Sequence, residues 1–447
     1  MSAEFSARSV SETEQVDAVR ALQRVLYRSA KQDPARCFHA LYDKVARSDI
    51  LWRAWADVAS NQGAAGVDGV SITSIVDDGV VGVRAFLDDL AQHLRDKTYR
   101  PRPLRRVHIP KPGQPGVTRP LGIPCVADRV VMTAAKLVLE PIFEADFSPV
   151  SFGFRPKRSA HQALEAIRVA ANRGADWVLD ADIKACFDEI DHDALMGQVE
   201  RRVVDGEMLK LLRAWLRVGV FEGGIVSDPE AGTPQGSPIS PLLANVALHV
   251  VDVAWAASAG LGTLVRYADD FVVLTTSRSR AEEARRRIEA VLAGLGLRMH
   301  PDKTRIVCLK DGEDGFDFLG FHHRKTPSKF GDRRYLSKWP SPRAMASVRA
   351  KIREHTDRRF ASRDLHQVLG DLNPVLRGWG AYFRYGNSNR KFAAVDSYVH
   401  ERMAKLASVK YATRYRLTAS RFNYGWLTGL GVYRLTGNVR RWSPAHA

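Results

Sequence analysis

The chain has 447 residues, 45% of them hydrophobic, and a formal net charge of +17. That length allows two or three domains with real cores, and the absence of a long apolar run or a charged-then-apolar leader excludes a membrane span and a secretory signal from the reading, leaving a cytoplasmic protein as the expectation. The charge is uneven: residues 1–330 hold 44 Lys+Arg against 43 Asp+Glu, a net of +1, and residues 331–447 hold 23 against 7, a net of +16, which points to a polyanionic partner, nucleic acid first.

Ser11 and Glu14 have capping-box spacing, and Val16, Val19, Leu22 and Leu26 follow at helical intervals. A second helix is predicted from Arg36 to Ala59, burying Phe38, Leu41, Val45, Trp52 and Trp55. Asn61–Gly69 then interrupts with three glycines, a connecting loop or one whose backbone can approach a ligand closely. Residues 83–96 predict another helix. Pro103–Pro124 reads as a basic β-hairpin whose turn is bracketed by Lys111 and Arg119, either a solvated edge or a clamp for a triphosphate. Helices are expected over 128–145 and Ala160–Asn172.

Trp177–Ile183 predicts a half-buried strand with Asp180 and Asp182 on its less apolar face. The stiff Gly232–Pro241 loop, with three prolines and two glycines, presents the amide of Gln235 ahead of an apolar helix over Leu242–Val253. Ala281–Leu295 is amphipathic, and Arg305–Leu309 and Phe316–Phe321 each read as a strand. From Ser341 the character changes to helices rich in Arg and aromatics, at Pro342–Asp357, Asp364–Leu372, Pro374–Tyr385 and Lys391–Lys410, a small bundle. The tail Tyr411–Ala447 has no acidic residue and alternates Arg with aromatics, which suits phosphate neutralisation and base stacking. Cys37, Cys125, Cys186 and Cys308 form no Cys-x-x-Cys unit, so reduced thiols are expected.

The centre of the chain is Leu264–Leu274, two apolar β-branched runs around Tyr267-Ala268-Asp269-Asp270. This predicts a β-hairpin with adjacent carboxylates at its turn. By itself such a pair is an ordinary solvated turn. With Asp182 from a second strand it becomes three carboxylates on two strand ends. That set can hold two Mg2+ ions roughly 4 Å apart for in-line nucleotidyl transfer, with Mn2+ as the substitute.

These motifs, in this order, resemble those of bacterial group II intron-encoded reverse transcriptase/maturases. The resemblance runs through Asn61–Gly69, Arg119–Pro124, Ser151–Pro156, Trp177–His192, Gly232–Asn245, Tyr267–Asp270, Lys303 and Phe318–Phe321, and ends in Leu376–Phe383, similar to the maturase or thumb segment. It implies an α+β right-hand polymerase, with an N-terminal extension over 1–60, fingers and palm over 61–330, a helical thumb over 331–410 and a basic tail over 411–447. It also implies Asp182, Asp269 and Asp270 as metal-binding catalytic acids and Ile183 as a backbone contact to metal or nucleotide. Phe187 would crowd a ribonucleotide 2′-hydroxyl, Lys111 and Arg119 would grip the triphosphate, Gln235 would line the nucleotide pocket, and Lys303 resembles the lysine of a later polymerase motif. The loop 61–69 would be a lid over template and primer.

The implied partners are an intron RNA template, a DNA target or primer and dNTPs, with no membrane, for a monomer or homodimer. The implied activity is RNA-directed DNA polymerisation that assists splicing and retrohoming. No cysteine/histidine-rich endonuclease module follows the tail, so dependence on a pre-existing primer is expected. The alternatives are an RNA-binding splicing cofactor, or a domesticated, defence-associated enzyme such as a CRISPR-associated one.

Overall fold

The computed structural model describes residues 2–110, 116, 118–222, 225–227, 232–233, 236–258, 260–312, 314–328, 331, 333–412 and 421–443, with 2–16 and 226–227 described by backbone alone. Five helices open the chain: α1 (Ser2–Gln32), α2 (Tyr42–Val45), α3 (Ser48–Ser60), α4 (Ile72–Asp77) and α5 (Gly79–Arg95). The hairpin β1 (Leu104–Pro110) and β2 (Thr118–Ile123) leads to α6 (Val126–Glu144) and α7 (Ala160–Asn172). Then come β3 (Trp177–Asp182), α8 (Cys186–Glu189), α9 (His192–Glu200), α10 (Gly206–Leu216), the short strands β4 (Val220–Glu222) and β5 (Ile225–Ser227), and α11 (Ser240–Ala256). β6 (Thr263–Tyr267), β7 (Asp270–Thr275), α12 (Arg278–Ala293) and β8 (Arg305–Cys308) follow. The last part holds β9 (Gly315–Phe318), β10 (Phe321–Pro327), β11 (Arg334–Pro340), α13 (Pro342–His355), α14 (Leu365–Phe383), α15 (Asn389–Lys410) and α16 (Tyr424–Gly429).

The central antiparallel sheet has the order β6-β7-β3-β8, and its alternation divides the interior in two. Successive strand residues point to opposite faces. On one face Leu179, Ala181, Leu264, Phe271 and Val273 join a core built with α3, α6, α9, α11 and α12. On the other, Val178, Val265, Val272 and Leu274 join a core built with α7 and the helices from α13 onward. One sheet therefore ties the first 300 residues to the C-terminal bundle.

Several expectations come out differently. The helix expected from Arg36 to Ala59 is broken, because Phe38 bridges to Val203 and the Asp205 carboxylate accepts from the N–H groups of Leu41 and Tyr42 at 2.7 and 2.8 Å. Phe316–Phe321 is not one strand but the end of β9, a Leu319-Gly320 turn at φ 49° and 77°, and the start of β10. α14 runs through Pro374, which lacks the N–H of that turn, because the apolar face formed by Leu369, Leu372, Leu376 and Phe383 is buried continuously on either side of it. A division at 330/331 falls inside the β10–β11 hairpin, whose strands pair from Phe321↔Pro340 to Pro327↔Arg334. Beyond Lys410, Phe422, Leu427 and Leu435 are buried in the bundle core rather than held out to solvent. Among the described residues no helix is long and apolar enough to cross a membrane.

Candidate active site

β3 and β7 pair antiparallel in a register that sets Asp182 directly opposite Asp270, so the two side chains leave the same face side by side. Asp180, two residues back, shares that face. The Ile183 N–H donates to the Asp269 carbonyl at 3.2 Å, extending the pairing into the turn. β6 and β7 are joined by Ala268 and Asp269 alone, with Tyr267 opposite Asp270. Ala268 sits at φ 57°, a left-handed conformation that a residue with a Cβ adopts only when its surroundings impose it.

The gathered carboxylates feel each other. Burial, then Asp180, Asp182 and Asp269, push Asp270 well above the usual carboxylate range. Burial first, and Asp182 after it, also raise Asp269, while Arg119 and Lys303 pull the other way. Burial lifts Asp180 to about 6 against its ion pair with Arg305 at 3.1 Å. Lys303 is paired with Asp182. Asp269 and Asp270 have no ion-pair partner among the described residues.

Among the described residues no three His, Cys, Asp or Glu side chains close around one point as a finished metal cage, and Asp182 is paired with Lys303. The donor set itself fits a hard divalent cation. It offers carboxylates gathered at one sheet end, of which Asp269 and Asp270 have no ion-pair partner among the described residues.

Support for the turn comes from residues that sequence reasoning missed. Arg266, only 1% exposed, makes a two-point ion pair with the fully buried Asp252 of α11 at 2.6 and 2.8 Å. Burial would raise the Asp252 carboxyl, but Arg266 and, after it, His249 together outweigh burial and hold the group below its ordinary range. The remaining Arg266 nitrogen donates at 3.1 Å to Asn245 Oδ1 and to the carbonyl of Ala268, the strained residue of the turn. Asn245 in turn donates to the Gly153 carbonyl at 2.8 Å. A Cβ on Gly153 would lie 2.4 Å from the Ala268 nitrogen, so only glycine lets this segment lie against the turn. An Arg immediately before Tyr267 and an Asp 14 residues earlier were visible as letters; nothing local signalled that they pair.

The other expected residues surround this centre in part. Arg119 is exposed on β2 and acts electrostatically on Asp269. Ile183 is buried. Phe187 is half-buried on α8, and its carbonyl accepts from the Thr233 N–H at 2.5 Å, anchoring the start of the 232–241 loop. Gly232, at φ 92°, passes so near α8 that a Cβ would meet the Phe187 and Asp188 carbonyls at 2.7 Å. Gly236 lies equally close to Gly122 on β2, so the loop spans from α8 to the basic hairpin. Lys111 and Gln235 lie outside the described residues. In the glycine loop of 61–69, a Cβ on Gly66 would stand 2.6 Å from Cys125 at the head of α6, whereas one on Gly69 would meet nothing within 4 Å.

Residues 109–323 match the profile of the reverse transcriptase (RNA-dependent DNA polymerase) family, and residues 345–422 match the group II intron maturase-specific domain. The chain is 33% identical over 363 residues to protein YkfC of Escherichia coli, covering 72% of this chain and 93% of that one. It is 38% identical over 226 residues to the group II intron-encoded protein LtrA of Lactococcus lactis, covering 50% of this chain and 36% of LtrA. A 91 kDa protein in the cob intron of Schizosaccharomyces pombe is 29% identical over 379 residues, covering 69% of this chain and 46% of that protein. The chain thus spans nearly all of one relative and under half the length of the two intron-encoded ones. With the acid cluster inside one matched region, the maturase domain in the other, and a relative aligned over most of both chains, this protein belongs to the group II intron-encoded reverse transcriptase/maturase family.

Proposed function

We propose that this chain copies RNA into DNA by two-metal nucleotidyl transfer, in a right hand of fingers and palm followed by a helical thumb, and that it binds intron RNA through its basic C-terminal part to assist splicing and retrohoming. The observation that carries this is the register that sets Asp182 against Asp270, beside Asp269, in a chain that continues into a maturase-specific domain.

Asp182, Asp269 and Asp270, with the backbone of Ile183, would hold the ions. When bound, two Mg2+ (or Mn2+) ions lower the pKa of a primer 3′-hydroxyl and neutralise the triphosphate charge. Lys303 holds the Asp182 carboxylate and tempers the mutual repulsion of the acids. Arg119, with Lys111, is suited to grip phosphate oxygens through charge-assisted hydrogen bonds. Phe187 would stand against the sugar C2′, and Gln235 would line the same pocket. The repulsion among the gathered carboxylates favours cation binding, since each bound positive charge relieves it.

The test is primer extension on an RNA template with Mg2+ and dNTPs, run beside an Asp269→Asn/Asp270→Asn variant. Loss of two ligands should cost about 4 kcal/mol or more of transition-state stabilisation, roughly a thousandfold in rate. Equal extension by the two proteins would remove these acids from the chemistry. A second reading, a splicing cofactor in which polymerisation is incidental, is favoured by the +16 charge of residues 331–447. It calls for RNA affinity that falls steeply with salt, at a log–log slope of about −0.7 to −0.9 per phosphate contact, and for splicing assistance that survives the double Asn variant.

A further inference from the structure

One bulky side chain beside the acids adopts a backbone conformation that aromatic residues avoid. Phe154 has φ 55°, and it is 53% exposed. Left-handed backbone and a solvent-facing ring are both unfavourable, and an outlier of this kind is a reason to look for function.

The neighbours on either side impose it. Phe152 is buried, and its N–H donates to the Arg266 carbonyl at 2.9 Å. Gly153 lies against the Ala268 nitrogen, with its own carbonyl held by Asn245. Arg155 is buried and grips Glu144 at 2.7 and 2.9 Å while donating to the Ser151 carbonyl at 2.7 Å. Clamped on both sides, residue 154 turns its ring outward beside Tyr267, with centroids 6.3 Å apart and planes inclined at 48°. Two residues of the clamp also support the turn: the Arg266 side chain donates to the Ala268 carbonyl and to Asn245 Oδ1, while its carbonyl and the Asn245 amide hold Phe152 and Gly153.

We propose that Phe154, with Tyr267, is a stacking platform for the 3′-terminal nucleoside of the strand being extended. This rests on the polymerase reading, because the position names the occupant. The reacting hydroxyl must come to Asp269 and Asp270, and the segment carrying Phe154 touches Ala268, the residue immediately before them. A nucleoside delivering that hydroxyl has its base within reach of the ring. Stacking on an aromatic face tolerates every base, as a terminus of changing sequence requires.

The experiment uses duplexes carrying 2-aminopurine either at the primer 3′ end or at the opposing template position, with fluorescence, affinity and primer extension read on the same proteins. Phe154→Ala should lose the stacking quench at the primer end only and raise the Kd and KM for primer–template about tenfold, with kcat changed less. Phe154→Tyr should restore both. Phe154→Gly should lose binding as Ala does, yet melt at or above the wild-type temperature, since glycine takes φ 55° freely. A structural residue would instead lower the melting temperature. Wild-type affinity and emission in Phe154→Ala, failure of Tyr to rescue, a lower melting temperature for Phe154→Gly, or a change confined to the template position would each overturn the proposal. Wild-type protein that extends no primer would overturn the polymerase reading, whereas the fluorescence, which needs no chemistry, still decides the stacking.

Discussion

The β6–β7 and β9–β10 hairpins both turn through two residues, and they solve the same backbone problem by different means. In the β9–β10 turn Leu319 and Gly320 lie at φ 49° and 77°, with glycine at the second position. The strands on either side end in the buried pair Phe318 and Phe321, and the Tyr382 hydroxyl donates to the Leu319 carbonyl at 2.8 Å. In the β6–β7 turn an alanine takes the left-handed position, and the strand after it begins with an unpaired acid. Nothing local favours that arrangement. It is held from a distance, by a buried Arg266 tied to Asp252 on α11. A turn that only reverses the chain can rely on glycine and apolar burial. One that must gather like charges takes its stability from elsewhere in the fold.

The largest effect should come from cutting that distant support. Arg266→Met leaves Asp252 buried with only His249 beside it at 3.7 Å, and should destabilise the protein by about 3–5 kcal/mol in urea unfolding. Adding Asp252→Leu removes the orphaned charge and should recover most of the stability, because two apolar side chains replace a buried pair at little net cost. Polymerase activity should stay low in the double variant, since the Ala268 carbonyl still lacks its donor. A double variant that extends primers like the wild type would reduce Arg266 to a folding element.

The β11 strand beside the second hairpin carries the opposite problem, a buried cation. Lys338 is 6% exposed, its Nζ has no hydrogen-bond partner among the described residues, and burial pulls its pKa from 10.5 down to about 8 against the attraction of Glu165. The folded state then holds fewer protons than the unfolded chain between about pH 8 and 10.5. Stability should therefore be fully present above 10.5 and be lost as pH falls through about 8, by up to about 3 kcal/mol. Lys338→Met should be more stable than the wild type at pH 7 and show a level melting temperature from pH 7.5 to 10. A wild-type curve already level over that interval would show the amine to be solvated or paired.

How much of this was legible in the sequence differs between the two hairpins in the same way. Trp177–Asp182 and Leu264–Leu274 were readable as strands because short apolar, β-branched runs are local signals, and the three acids lay at their ends. The Leu319-Gly320 turn was hidden inside Phe316–Phe321, since aromatics flank it so evenly that the run reads as one strand. The continuity of α14 through Pro374 was equally hidden, because tertiary burial overrode a residue that by itself ends helices. Arg266–Asp252 and the positive φ of Phe154 could not be read at all. They depend on a helix, a loop and a hairpin meeting in space, and no spacing along the chain encodes that meeting.

A third test leaves both hairpins intact and probes the proposed place of the sugar. Phe187 is fixed on α8 by the Thr233 N–H and the close pass of Gly232. Phe187→Ala should keep DNA synthesis near the wild-type rate and relax discrimination against ribonucleotides by about ten- to a hundredfold, the scale on which a pocket senses one hydroxyl. Competition between dNTP and rNTP in single-turnover extension measures it. An unchanged ratio would take Phe187 out of the sugar's reach.

The smallest effects separate the two turns directly. Gly320→Ala meets nothing nearer than Phe383 at 3.5 Å, an ordinary contact, so its cost is the left-handed backbone alone, about 1–2 kcal/mol of stability with activity unchanged. Ala268→Gly makes the opposite trade. It relieves the strain at φ 57°, which more than offsets the added chain entropy of glycine, and should leave the protein as stable as the wild type or up to about 1 kcal/mol more so. Yet the carbonyl that Arg266 holds would then sit on a residue free to leave its position, and extension should slow several-fold. If Ala268→Gly gained stability and lost no activity, the strain in the first turn would be incidental. The contrast between a turn that contains a glycine and one that does not would then rest on the buried ion pair alone.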